Sequence, residues 1–130
     1  MKFGYSIVYV KDVLKTVDFY ERAFGIQRHF IHESNQYAEM ATGSTLLAFS
    51  ADELVQNLLF KDYEPNASEK KTAGMELDFV TDDVKGAYQQ AVKAGAKEVI
   101  APVVKPWGQT VGYVRDINGI TVAICSPIQR

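Results

Sequence analysis

Two carboxylates stand two residues apart in the stretch MELDFV, at Glu76 and Asp78. If the stretch is a β-strand, alternating side chains send both to one face. Neighbouring carboxylates repel when both are ionised, so they hold a proton or attract a cation, and one of them gains the raised pKa of a general base. Five aromatic residues, Tyr5, Tyr9, Tyr37, Trp107 and Tyr113, lie in or beside strand-like segments. Grouped with the acids, they would offer flat apolar area and cation-π attraction to a positively charged or planar guest. Each residue also has a structural reading. Tyrosines in strands form half-buried core, Trp107 can clamp a loop, and Arg115 is an internal partner able to neutralise the acid pair.

The other reactive residues offer less. Cys125, the one cysteine, lies in the apolar segment ITVAIC and reads as a small core residue. His29 and His32 are the only histidines, and in RHFIHES their odd spacing sends them to opposite faces of a regular strand. Glu39 in YAEM shares an inward face with Tyr37 in one strand register and turns outward in the next. No glycine-rich phosphate loop and no zinc-type cysteine pairs occur.

Composition excludes whole classes of partner. Net charge is −2 and the 14 Lys and Arg residues are dispersed, so there is no basic stripe of the kind a phosphate backbone requires. No run reaches the roughly 18 apolar residues of a membrane span. The first residues, MKFGYSIVYV, lack the pattern of a secretory leader, so the expected compartment is the cytoplasm. With 130 residues, 47% of them hydrophobic, the chain has enough apolar surface for one compact domain.

The elements that position these residues come from an internal duplication. Residues 5 to 26, YSIVYVKDVLKTVDFYERAFGI, overlay residues 76 to 96, ELDFVTDDVKGAYQQAVKAGA. Each copy begins with an alternating strand, so Glu76 and Asp78 occupy the places of Tyr5 and Ile7. An aspartate suited to N-capping follows, Asp12 or Asp83. An amphipathic helix comes next, with Val13, Val17, Tyr20 and Phe24 on one stripe and Val84, Tyr88, Ala91 and Val92 on the other. Gly25 and Gly95 mark the helix ends. Further strands are expected in RHFIHES, QYAEMAT and STLLAFSA, then in KEVIAPV, QTVGYVRD and ITVAICSP. Each copy therefore reads β-α-β-β-β. Module 1 covers about residues 1–50 and module 2 about 74–130, within one domain. Residues 51–73 join them, opening on a possible short helix in ADELVQNLLF and continuing through the polar DYEPNASEKK.

The D-V-x-x-x-x-x-F-Y-x-x-x-F-G run from Asp12 to Gly25, the Thr81-Asp82-Asp83-Val84 end of the second copy's strand, the KPWGQ loop at 105–109 and the R-D-x-x-G-x-x-V run from Arg115 to Val122 together resemble the vicinal oxygen chelate superfamily. Glyoxalase I, bleomycin- and fosfomycin-resistance proteins and extradiol dioxygenases belong to it, and the resemblance spans almost the whole chain. It implies an α+β fold in which two β-α-β-β-β modules form curved mixed sheets around a cleft, with helices on the outer face. It also implies a homodimer, since such sheets are completed within one chain or across two.

The resemblance places the superfamily's metal ligands near the start of each module's first strand and in the middle of its last. Those positions fall on Tyr5, Ala48, Glu76 and Ala123. One carboxylate, one phenol and two methyl groups cannot hold a divalent ion against water. No metal or other cofactor is therefore expected. The preferred function is a metal-free, bleomycin-resistance-like protein that sequesters a small cationic or aromatic molecule through Tyr5, Tyr9, Tyr37, Glu76, Asp78, Trp107 and Tyr113. The alternative is a glyoxalase-like or related enzyme with an atypical metal site, or one using Glu76 or Asp78 as general base. A third reading is a regulatory domain whose pocket has no physiological ligand.

Overall fold

The computed structural model describes residues 1–130. It contains β1 (Tyr5–Val10), α1 (Val13–Phe24), β2 (Arg28–Ile31), β3 (Tyr37–Met40), β4 (Leu46–Ala51) and α2 (Asp52–Leu58). These are followed by β5 (Glu76–Val80), α3 (Val84–Lys93), β6 (Lys97–Val104), β7 (Thr110–Arg115) and β8 (Thr121–Cys125). The chain divides into two compact units, Met1–Asn66 and Ala67–Arg130, each carrying one β-α-β-β-β module. The class is α+β, as expected. No helix is long and apolar enough to cross a membrane.

In the first unit the sheet runs β1-β4-β3-β2, with β1 parallel to β4 and the other pairs antiparallel. The Asp12 side chain accepts a 3.0 Å hydrogen bond from the Lys15 amide and starts α1, and Gly25, left-handed at φ 69°, ends it. Helix α1 buries Val13, Val17, Phe19 and Tyr20 against the sheet, where the Tyr20 ring meets Phe49 of β4 at a centroid separation of 4.9 Å. Because Phe49 faces the helix, its partners in the same row, Val8 and Ala38, do so too. Tyr5, Ile7, Tyr9, Tyr37, Glu39 and Ala48 must then point from the opposite face.

The second unit repeats the order as β5-β8-β7-β6, again with one parallel pair, β5 with β8. Asp83 caps α3 by accepting from the Gly86 amide at 3.0 Å. The helix runs to Lys93 with Ala94 as its C-cap, and Gly95, at φ 117°, marks its end as expected. Gly112 of β7 lies under the Tyr88 ring of α3, which fixes the row Gly112–Ile124–Phe79 on the helix side. Glu76, Asp78, Tyr113, Ala123 and Cys125 therefore share the face away from α3.

Two expectations need correction. The strand expected over RHFIHES stops at Ile31 and carries a bulge between Arg28 and Phe30, so regular alternation does not apply to its histidines. His32 lies in the following turn, where its Nδ1 accepts from the Ser34 amide at 3.0 Å, and both histidines are exposed. The polar segment after α2 is also anchored more firmly than its composition indicates. The Tyr63 hydroxyl donates to Asp52 at 2.6 Å, and the Asn66 side chain donates to the Tyr9 carbonyl at 3.0 Å. In the second unit Arg115 donates to the carbonyls of Lys70 at 2.6 Å and Gly119 at 2.9 Å.

The R-D-x-x-G motif is thus a structural clamp. Asp116 accepts from the amides of Asn118 and Ile120, both at 2.8 Å, folding the turn into β8. Gly119 has φ 82°, and a Cβ there would collide with the Ala67 carbonyl and the Arg115 guanidinium. Gly119→Ala should lower stability by about 1–3 kcal/mol. It should also speed amide exchange in the segment that Arg115 holds. A denaturation midpoint and exchange rates equal to wild type would remove this role for the clamp.

Candidate functional site

On the second unit, β5 presents Glu76 and Asp78 from its exposed edge, one strand away from β8. Asp78 is in register with Ala123, and Ala123 with Tyr113 of β7. The row therefore runs carboxylate, methyl, phenol. Ala123, fully buried, keeps the middle of the row low, with Val111 and Cys125 beside it and Tyr113 packed against them.

The acids alter one another and their neighbours. The Glu76 carboxyl is pushed up to about 7, first by a hydrogen bond with Asp78, then by burial and by the Asp78 charge. Glu76 remains exposed, so coupling to its neighbour outweighs desolvation. Burial raises the Tyr113 phenol, and Glu76 and Asp78 add to the effect. Burial likewise raises the Cys125 thiol, with Asp78 and Glu76 contributing. Cys125 is the buried core residue expected from its sequence context, but it lies on the acid face, and its raised pKa makes it a poor nucleophile.

Arg115, the internal cation able to neutralise the pair, is committed to backbone carbonyls instead. The chain's ion pairs, Arg22–Asp18 and Arg28–Glu21, involve neither acid. One cation does approach the row: the Lys105 Nζ lies 5.4 Å from the centroid of the Tyr113 ring. Trp107 occupies the tip of the β6–β7 hairpin, its ring 62% exposed and its indole N–H donating to Gln109 at 2.9 Å. It is held as a loop residue and makes no contact with the acid pair.

On the first unit, the face away from α1 carries Tyr5, Tyr37 and Glu39. The Tyr37 hydroxyl donates to Glu39 at 2.8 Å, and the phenol is raised by burial and by that bond. Glu39 is in register with Ala48, and Ala48 with Ile7. This resolves the register of Glu39 in favour of the inward reading with Tyr37. Tyr9 is engaged elsewhere: its ring packs edge-on against Tyr63 at 5.0 Å and Phe60 at 6.1 Å. The sequence patterns gave no sign of that cluster, because Phe60 and Tyr63 lie outside any strand, Tyr63 in a polar stretch.

The four positions that the resemblance assigns to metal ligands do not provide a ligand set. Ala48 and Ala123 are buried methyl groups in mid-strand, Tyr5 is 54% exposed, and Glu76 alone is a carboxylate. No three His, Cys, Asp or Glu side chains group closely enough to hold an ion. A divalent metal does not fit these residues.

Comparison with known proteins agrees with the architecture. The glyoxalase-like domain profile matches residues 3–129. A glyoxalase/bleomycin resistance protein/dioxygenase family enzyme from Burkholderia phytofirmans PsJN superposes with TM-score 0.82 at 21% identity, over 99% of this chain and 100% of that one. A glyoxalase-related enzyme from Fulvimarina pelagi gives TM-score 0.81 at 18% identity, over 98% and 88%. A protein of unknown function from Agrobacterium tumefaciens str. C58 gives 0.78 at 20%, over 98% and 94%. A search of curated proteins finds no match. At these identities the solved structures speak for the fold alone. The matched profile and the paired β-α-β-β-β modules together place the chain in the glyoxalase-like domain family of the vicinal oxygen chelate superfamily.

Proposed function

We propose that the protein binds a small organic cation without a metal, using the acid face of its second unit. The observation that carries this reading is the row Asp78–Ala123–Tyr113 beside Glu76. A methyl group stands where metal-dependent relatives place a carboxylate, and the two acids left on the face have no ion-pair partner. A positively charged guest would relieve their repulsion, and the half-buried Tyr113 phenol would supply flat apolar contact. Sequestration of this kind resembles what bleomycin-resistance proteins do. Tyr5 and Tyr37 are proposed as ligand contacts on the first unit's open face, and Tyr9 and Trp107 are weaker candidates given their engagement with neighbouring residues.

A second reading has its own support. A carboxyl with a pKa of about 7 is poised to accept a proton at neutral pH, so Glu76 suits a metal-independent general base. Both readings rest on the same proton. Glu76 has a folded-state pKa above its ordinary 4.5, so its stabilising contribution is fully present below that value and is lost as pH rises through about 7.

We also propose a homodimer. Each unit leaves apolar side chains exposed on the sheet face away from its helix: Tyr5 and Ile7 in the first, Val80 and Ile100 in the second. Faces of this kind favour burial against a second copy.

Four outcomes are expected. Aromatic cations should raise the melting temperature more than anions or neutral molecules of the same shape, and Glu76→Gln should weaken that preference by about 1 kcal/mol, since the pair is solvent-screened. Equal shifts for matched cations and anions would leave the acids without a recognition role. In pH scans, cation affinity should strengthen between about pH 5 and pH 8, while wild type loses stability relative to Glu76→Gln over the same interval. Parallel curves for the two proteins would remove the coupling. Protein purified without chelator should contain far less than one equivalent of Zn, Mn, Fe, Ni or Co, and a stoichiometric metal lost on Glu76→Gln would overturn the metal-free reading. Light scattering at micromolar concentration should give the mass of two chains, and a one-chain mass would exclude the dimer.

A further inference from the structure

On the side of the second sheet opposite the acid face, a cavity of about 500 Å³ lies between α3 and β6. Its borders include Lys85, Tyr88 and Gln89 from the helix and Glu98, Ala101 and Pro102 from the strand. The volume lies within the ~300–1,000 Å³ of small-molecule sites.

Local structure builds this space. Tyr88 is 4% exposed, and its hydroxyl donates to the Tyr113 carbonyl at 3.2 Å, which ties the ring to the sheet. The ring approaches the strand closely because Gly112 has no side chain: a Cβ there would come within 2.8 Å of Tyr88 and 3.0 Å of Pro102. Strand β6 shifts register twice against β7, between Glu98 and Ile100 and again between Ile100 and Val103. Such bulges bend an edge strand and re-aim its side chains. Here they pair Ile100 with Tyr113 on the acid face, while Glu98 and Pro102 stay on the helix side.

Charge distinguishes the two modules. In the first, the helix and the edge strand are tied by an ion pair, with Arg28 of β2 donating to the Glu21 carboxylate of α1 from Nη2 at 2.7 Å and Nε at 3.0 Å. In the second, Lys85 of α3 and Glu98 of β6 border the same cavity with opposite charges, and neither takes part in an ion pair. The overlay of Asp12 on Asp83 sets Val92 at the place of Glu21, so the second module has no acid to tie helix to edge strand in that way.

We propose that this cavity binds a small zwitterion with an apolar body, its anionic end at the Lys85 ammonium, its cationic end at the Glu98 carboxylate, and its body on Tyr88, Ala101 and Pro102. An apolar α-amino acid is the simplest member of that class. A helix and a strand that carry opposite charges on the two borders of one cavity reward a ligand carrying both complements over one that lacks either. The site is independent of the acid face and stands or falls separately from the cation-binding reading.

The test is titration of the isotope-labelled full-length protein with L-phenylalanine, followed by amide NMR shifts, with L-leucine as a second probe. N-acetyl-L-phenylalanine and L-phenylalanine methyl ester each remove one charge. Saturable shifts should cluster at residues 85–89 and 98–101, and each single-charge derivative should bind about tenfold more weakly, as expected for one lost charged contact. Lys85→Ala and Glu98→Gln, both at exposed positions, should each cause a similar loss, whereas Lys93→Ala, an equal change in net charge on the same helix, should not. Absence of saturable shifts with either amino acid, equal binding of the three phenylalanine compounds, or equal effects of Lys85→Ala and Lys93→Ala would overturn the proposal.

Discussion

Each sheet depends on the register of one parallel ladder, β1 with β4 and β5 with β8. Parallel neighbours require a crossover, and in both modules the crossover carries the helix that covers one face. Once Phe49 and Ile124 are committed to the helix side, the period of two leaves no freedom elsewhere. Every chemically interesting residue on the opposite face, from Tyr37 and Glu39 to Glu76, Asp78 and Tyr113, is there because of that commitment. A one-residue slip would bury the acids under α3 and expose Leu77 and Phe79, which makes the register expensive to change.

The same ladders put Ala48 and Ala123 at two of the four positions that the resemblance assigns to metal ligands. Ala48 and Ala123 sit at the middle of their sheets, the least accessible places on the two faces. A carboxylate at either place would need a cation to offset its desolvation, whereas a methyl group needs none. With methyl groups there, Glu76 and Asp78 interact chiefly with each other. Their coupling raises the Glu76 carboxyl and adds to the upward shifts of Tyr113 and Cys125.

Duplication gives a second contrast. The two modules share their caps, helix stripes and strand order, but differ at the join between helix and edge strand. Glu21 and Arg28 close that join in the first module. In the second, Val92 stands at the place of Glu21, and a cavity lies between α3 and β6 beside Lys85 and Glu98. Equivalent backbones therefore support different surfaces, because backbone geometry follows from pattern and surface chemistry from a few substitutions.

Local patterns alone determined the fold class, both capping aspartates, the alternating faces of β1 and β5, and the grouping of Glu76 with Asp78. These depend on periodicity and short-range hydrogen bonding, which neighbouring residues encode directly. Tertiary structure decided what spacing cannot. Arg115 turned to the carbonyls of Lys70 and Gly119 instead of the acid pair, although both destinations are chemically reasonable for a guanidinium. Tyr9 was drawn against Phe60 and Tyr63 by a segment whose composition gave no hint of packing. The side taken by Glu39 needed the pairing of β3 with β4, and the shortening of β2 needed its bulge. In each case the deciding contact joins residues that meet only when the chain folds, so its energy has no signature in the local sequence.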